Sequence, residues 1–196
     1  MLISQPGDGF SLVELVIGLA ILSLLLVIGL PSFTTYIQNS KLRTAAEAFL
    51  AGVQSARGEA VRRNAQVQII LTNDDADVTN RNTTNLSATG QNWIVRALDP
   101  TTGLYDFIEA KAMAEGSGQT SAPTVQIDGG ANSSVTFNGF GTTTLGAAAT
   151  IAFSNPAGGA CAPTGPMRCM NVVISIGGQA RMCDPAVTAA GDTRRC

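Results

Sequence analysis

Residues 9–30 read GFSLVELVIGLAILSLLLVIGL, and this stretch decides how the rest of the chain is interpreted. Residues 10–30 are 21 residues with one charge, Glu14, which is long enough to cross a bilayer of about 30 Å as a helix. A lone carboxylate at that depth costs about 2.5–3.5 kcal/mol and rarely persists without a partner. No Lys or Arg occurs between residues 1 and 40, so the partner is not a side chain of the same segment.

A new chain terminus is the partner that the sequence offers. Cleavage after Gly9 would leave an α-amine on Phe10, one helical turn from Glu14 and on the same helix face. The amine of one copy and the carboxylate of its neighbour could then neutralise each other in apolar surroundings. The alternative is a signal anchor that happens to contain a Glu.

The composition argues against several classes of function. The 196 residues carry a formal net charge of −2, so no overall basic balance points to nucleic acid. Histidine is absent, which removes the commonest general base and the commonest metal ligand. The acidic run Asp74, Asp75 and Asp77 lacks the Gly and the terminal Glu of a calcium-binding loop. We therefore expect no enzymatic activity, no cofactor and no metal site.

Helical periodicity continues beyond the apolar run and predicts a second, amphipathic half of the same helix. Pro31 follows Gly29, and this pair predicts a local kink. We expect one helix from Phe10 to about Arg63, with residues 10–30 in the membrane and residues 31–63 packed on a globular domain. One apolar face at helical spacing supports the second half, and it is formed by Leu42, Ala46, Phe49, Val53, Ala56 and Ala60.

After residue 63 the pattern changes to short β-type runs separated by turn residues. The expected strands of this β-rich domain, residues 64–196, are 67–71, 92–98, 107–111, 124–127, 134–137, 150–153, 170–176 and 179–182. Gly177 and Gly178 fit a tight hairpin between the last two, and residues 72–91 are expected to form an exposed, mobile loop. The aromatic residues expected in the core are Trp93, Phe107, Phe137, Phe140 and Phe153. The fold class is α+β: a long N-terminal helix, membrane-spanning in its first half, packed on a C-terminal antiparallel β-sheet domain.

Four cysteines, Cys161, Cys169, Cys183 and Cys196, all lie near the C-terminal end of the sequence. An even number in a membrane-tethered domain indicates two disulfides in an oxidising compartment. Three pairings are possible, and the spacing favours Cys161–Cys169 with Cys183–Cys196 because both close short loops. A site for a metal ion built from four thiolates is the alternative, and the absence of any C-x-x-C pair argues against it.

The run Gly9-Phe10-Ser11-Leu12-Val13-Glu14 resembles the signal of type IV pilins and type II secretion pseudopilins. The resemblance implies a leader of residues 1–9, cut between Gly9 and Phe10 by a prepilin peptidase that also N-methylates Phe10. It gives Glu14 the role of setting the register between subunits during assembly. Unlike the usual leaders of the family, MLISQPGDG contains no Lys or Arg.

The second half of the helix narrows this resemblance to the GspH/FimT/FimU group of minor pilins and pseudopilins. Two elements of that group have counterparts in Phe137 to Gly141 and in Gly178-Gln179-Ala180-Arg181 before Cys183. The resemblance implies a minor pilin that helps to prime the pilus or lies at its tip, or alternatively the H-type pseudopilin of a type II secretion system. A DNA-binding uptake pilin is a further, less favoured alternative, for which the candidate residues are Arg168, Arg181, Arg194 and Arg195.

The expected partners are other major or minor pilins or pseudopilins, the prepilin peptidase and N-methyltransferase, and inner-membrane lipid. The expected location is the bacterial inner membrane, crossed once, with the C-terminal domain in the periplasm.

Overall fold

The structure, a computed structural model, describes residues 11–112 and 124–196, with the side chains of residues 27–31 left out. Helix α1 covers Leu12–Arg63 and is the long helix expected from the sequence. Contacts divide the chain into two compact units, Met1–Ile37 and Gln38–Cys196, and we call the second unit the head. Among the residues described, no helix includes an 18-residue window apolar enough to cross a membrane, so the expected span is not confirmed.

Helix α1 ends where Asn64 takes up a left-handed backbone conformation, with φ of 46°. Asn tolerates this conformation better than most residues, and it turns the chain out of the helix. The amide of Ala65 then donates to the carbonyl of Ala60 at 3.2 Å, which satisfies one of the last helical carbonyls. Strand β1 follows almost at once.

The strands of the described residues form two antiparallel sheets, and they correspond to the eight expected runs with shifted ends. The first sheet has the order β3-β2-β1-β5 and the second the order β4-β6-β7-β8. Their bounds are β1 Val67–Thr72, β2 Asn92–Leu98, β3 Tyr105–Ala112, β4 Gln126–Asp128, β5 Ser134–Phe137, β6 Ala149–Ser154, β7 Met170–Ile174 and β8 Ala180–Cys183. The expected hairpin at Gly177 and Gly178 is present between β7 and β8.

The core of the head lies where the apolar face of α1 meets both sheets. All six residues predicted for that face are fully buried. The ring of Phe49 contacts Trp93 of β2 edge to face, with ring centres 6.2 Å apart, and contacts Phe153 of β6 at 5.6 Å. One helical side chain therefore joins the two sheets.

Two predictions about the core and the loops are wrong in part. Phe140 was expected in the core, yet its side chain is 88% exposed because it lies in the turn after β5. Phe107 on β3 is only partly buried. Trp93, Phe137 and Phe153 are buried as expected.

The segment expected to be an exposed loop, residues 72–91, is hydrogen-bonded to the first sheet. Arg96 of β2 is buried, and its guanidinium donates to the carbonyls of Arg81 at 2.9 Å and Thr83 at 2.8 Å. It also bonds the Gln68 side chain and stacks 3.8 Å above the ring of Tyr105. The segment is thus tied across the face of the sheet that points away from α1.

Candidate functional sites on the helix start and the head

The first turn of α1 is closed by two side chains of the predicted cleavage motif. The amide of Ser11 donates to Glu14 Oε2 at 3.0 Å, and the hydroxyl of Ser11 accepts from the amide of Val13 at 3.2 Å. This is the pattern of a capping box, in which a Ser before the helix and a Glu three residues later satisfy free amides of the first turn. Gly9 and Phe10 lie outside the described residues, so their cleavage and methylation stay predictions.

The helix beyond this cap is apolar on every side. Its large hydrophobic side chains between residues 12 and 26 are all more than half exposed, from Leu26 at 52% to Leu12 at 80%. A helix that is hydrophobic all round is stable only when lipid or protein covers it. Pro31 lies within α1, and the predicted kink there is not tested.

The cysteines form the two disulfides that the spacing favoured, Cys161–Cys169 and Cys183–Cys196. The second disulfide holds the C-terminal tail against β8. There the amide of Asp184 donates to the carbonyl of Arg194 at 2.7 Å. The first disulfide closes a loop that receives Asn39 of α1, whose side chain bonds the carbonyl of Pro166 and the amide of Arg168.

The four candidate DNA-binding arginines lie around β8 and the tail, and acidic residues offset part of their charge. Arg168 pairs with Asp184 at 3.8 Å and Arg194 with Asp192 at 2.7 Å. The hydrogen bond from Arg194 lowers the pKa of Asp192 to about 2, so this pair remains charged at neutral pH. Arg181 donates to the carbonyl of Arg195 at 2.9 Å.

A groove of about 770 Å³ runs between α1 and the β7–β8 hairpin, and the sequence analysis did not predict it. Arg57 and Arg181 line it together with Gln54 and Gln179, and no Asp or Glu is among the described residues that line it. The groove is therefore cationic. Its apolar lining comes from Val53, Val61, Val173 and Ala180.

One end of the groove is closed by a junction of three chain segments. Arg57 Nε of α1 donates to the carbonyl of Gly141 at 3.0 Å. Gly178 of the hairpin, with φ of 77°, packs so closely on that carbonyl that a Cβ at position 178 would collide with it. Both glycines belong to the motifs on which the GspH/FimT/FimU resemblance was based. Their spacing along the chain gave no indication that they meet at Arg57.

The described residues contain no group of three or more His, Cys, Asp or Glu side chains that could hold a metal ion.

Comparisons with known proteins agree with this architecture. The family model described as "Type II transport protein GspH" matches residues 45–178. The chain is 32% identical over 122 residues to "Fimbrial protein EcpC" of Eikenella corrodens, which covers 58% of this chain and 76% of the relative.

Solved structures give the same fold. The type IV minor pilin FimU of Pseudomonas aeruginosa superposes with a TM-score of 0.51 at 18% identity, covering 75% of this chain and 91% of FimU. The minor pseudopilin EpsH from the Type 2 Secretion System of Vibrio cholerae gives a TM-score of 0.48 at 13% identity, covering 75% of this chain and 99% of EpsH.

Proposed function

Since the chain belongs to the GspH family of minor pilins and pseudopilins, we propose that it is a minor pilin that helps to assemble a type IV pilus, as a priming or tip subunit. The observation that carries this proposal is the helix start, where Glu14 caps an exposed helix that is apolar on every side. Such a helix needs a covering of lipid before assembly and of other subunits after it. The role is structural rather than catalytic.

The proposal includes processing and anchoring. A prepilin peptidase removes residues 1–9 and methylates Phe10, and residues 10–30 hold the mature chain in the inner membrane. The head lies in the periplasm, and its two disulfides support this location because they persist in oxidising compartments. In the filament, the amine of Phe10 and the carboxylate of Glu14 set the register between neighbouring subunits.

The relative described as a fimbrial protein favours a pilus over a secretion filament. The second candidate is the H-type pseudopilin of a type II secretion system, which the description of the matching family favours. DNA uptake has less support, because Arg168 and Arg194 are already paired with carboxylates.

The test is to find the chain in filaments. Pili sheared from cells that express a tagged chain should contain it in trace amounts, and mass spectrometry should find N-methylated Phe10 as its first residue. Deletion of the chain should reduce surface pili and leave protein export unchanged. An intact leader, or a deletion that stops export while pili persist, would contradict the pilus assignment.

A further inference from the structure

The hairpin beside the groove leaves part of a strand edge open. The amide of Ser175 donates to the carbonyl of Gln179 at 2.9 Å, and Val173 is paired with Arg181 two residues further along. Since hydrogen-bonded and non-bonded pairs alternate in an antiparallel ladder, the backbone groups of Ala180 and Met182 point away from β7.

This edge of β8 is an edge of the whole second sheet, in which β8 comes last. Among the described residues the tail reaches β8 only at its end, through the bridge between Asp184 and Arg195. An open edge of this kind is a template for an added strand.

The charges and the rim of the groove indicate what such a strand would carry. Arg57 and Arg181 favour carboxylates, because no acidic residue described in the lining offsets them. Exposed apolar side chains stand at the closed end, with Val61 at 53%, Phe140 at 88% and Ile176 at 57% exposure. Phe140 sits in a turn fixed by Asn138, whose side chain accepts from the amides of Phe140 and Thr142. A rigidly held aromatic ring of this kind is a typical anchor in protein interfaces.

We propose that the groove binds an extended acidic segment of a neighbouring pilin subunit, which adds to the open edge of β8. Its carboxylates meet Arg57 and Arg181, and an apolar side chain packs on Phe140. This inference rests on the proposed function, because it names the contact through which the head would join its neighbour.

The test uses the full-length chain in detergent and a fluorescent synthetic peptide in which Glu alternates with Thr and Val and which ends in Leu. We expect saturable binding by fluorescence anisotropy, weakened by salt because exposed charges are screened. Arg181→Gln should reduce affinity about tenfold through loss of a charged hydrogen bond. Phe140→Ser should also weaken binding. Arg168→Gln, which changes an exposed arginine outside the lining, is the matched control and should bind normally.

Three further probes separate the explanations. A peptide with Pro at its centre cannot complete the ladder, and equal binding of it would overturn strand addition. A DNA oligonucleotide that binds more tightly than the peptide, with the same dependence on Arg181, would make the groove a DNA site and overturn the proposal. A dimer of the chain that Arg181→Gln disperses would identify a second copy as the occupant, with the same consequence.

Failure of the inference is distinguishable from failure of the proposed function. If the peptide does not bind while the chain still enters sheared pili, the groove has no such role and the minor pilin assignment stands. If the chain is absent from pili, the assignment itself is wrong, whatever the peptide does.

Discussion

Glu14 has a partner within its own chain, the amide of Ser11. The hydrogen bond directs the carboxylate back over the first turn, toward the side of the chain where Phe10 precedes Ser11. The sequence analysis considered only a partner on a neighbouring subunit. The two roles are compatible in order, because a cap formed before assembly would hold the carboxylate near the position of the future terminus.

The capping role and the charge role of Glu14 can be separated by substitution. Glu14→Gln keeps an oxygen that can accept from the amide of Ser11, whereas Glu14→Ala removes it. If pairing with an amine of the neighbour governs assembly, both variants should reduce incorporation into sheared pili by about tenfold or more. Normal incorporation of Glu14→Gln beside a defective Glu14→Ala would show that capping alone matters. Ser11→Ala, which loses only the other half of the cap, is the control.

Gly52 is required by the ring of Trp93, which packs directly on the helix. A Cβ at position 52 would lie 2.7 Å from that ring. Gly52→Ala gains about 1 kcal/mol of helix propensity, but overpacking a core costs about 1–3 kcal/mol, so we expect a net loss of stability.

Gly58 provides the matched control for this prediction, because nothing lies within 4 Å of a Cβ added there. Gly58→Ala should stabilise the head by about 0.5–1 kcal/mol. Thermal unfolding followed by the fluorescence of Trp93, the single tryptophan of the chain, measures both variants. Equal shifts in the same direction would contradict the packing argument.

Individual side chains mark the limit of prediction at this scale. The helix face around Phe49 follows from spacing alone, since helical geometry fixes which residues share a side. Phe140 was misplaced because a turn begins at Asn138, and its side-chain hydrogen bonds cannot be read from apolar periodicity. Arg96 was overlooked although it interrupts the apolar run of β2, which is a recognisable sign of a buried polar group.

At the level of elements, the end of α1 carries a charge cluster that gives the head an acid-sensitive component. Hydrogen bonds from Arg62 and then Arg63 lower the pKa of Glu59 from its ordinary 4.5 to about 2. A lowered pKa stabilises the folded state above pH 4.5, and this contribution is lost as the pH falls from 4.5 to about 2. Because the cluster is at the surface, solvent screening limits it to about 0.5–1 kcal/mol.

Glu59→Gln should therefore reduce the free energy of unfolding at pH 7 and have little effect at pH 2. Urea unfolding at the two pH values gives the comparison. Glu47→Gln, which removes an exposed pair with Arg43 on the same helix, is the control and should change stability less. An equal loss from Glu59→Gln at both pH values would mean that its charge is not responsible.

The segment 72–91 depends on one side chain of the neighbouring strand. Arg96→Met would leave the carbonyls of Arg81 and Thr83 without their donor, at a cost of about 1–3 kcal/mol. We expect faster amide hydrogen exchange in residues 79–91, with little change in the second sheet. Arg43→Met, on the exposed side of α1, should leave exchange in this segment unaltered. Unchanged exchange in Arg96→Met would show that other contacts hold the segment.

The existence and order of the elements could be predicted, whereas their assembly into sheets could not. Each strand shows its own pattern of apolar and turn residues, so β2 and β5 were located to the residue. The pairing of β1 with β5, and of β4 with β6, joins segments far apart in the chain. No local pattern encodes such partners, and the groove beside β8 follows from them.

On the scale of the whole molecule, the head is stapled at its C-terminal end. The disulfides span 8 and 13 residues of sequence, and each constrains the unfolded chain. The double variant Cys183→Ser with Cys196→Ser should lose about 3 kcal/mol of stability. Thermal unfolding of this variant with and without reductant is the measurement. Reductant should lower its midpoint further by breaking Cys161–Cys169, and no response would contradict a stabilising role for that bond.

Family membership could be read from the helix start and from the glycines of the head, because both are short patterns with fixed spacing. The system that the chain serves could not be read in this way. Pilus and secretion subunits share a helix and a fold, and they differ in which neighbours their surfaces accept. Surfaces such as the groove combine Arg57, Gly141 and Arg181, which only the folded chain brings together.

The lowered pKa values of Glu59 and Asp192 have a consequence for life outside a buffered cytoplasm. The chain has no histidine, and all four cysteines are in disulfides, so no side chain ordinarily titrates between pH 5 and 8. Its side-chain electrostatics are therefore nearly constant over that range. A fibre component built in this way would keep its recognition properties in acidifying surroundings, which suits an organelle bathed in whatever medium the cell meets.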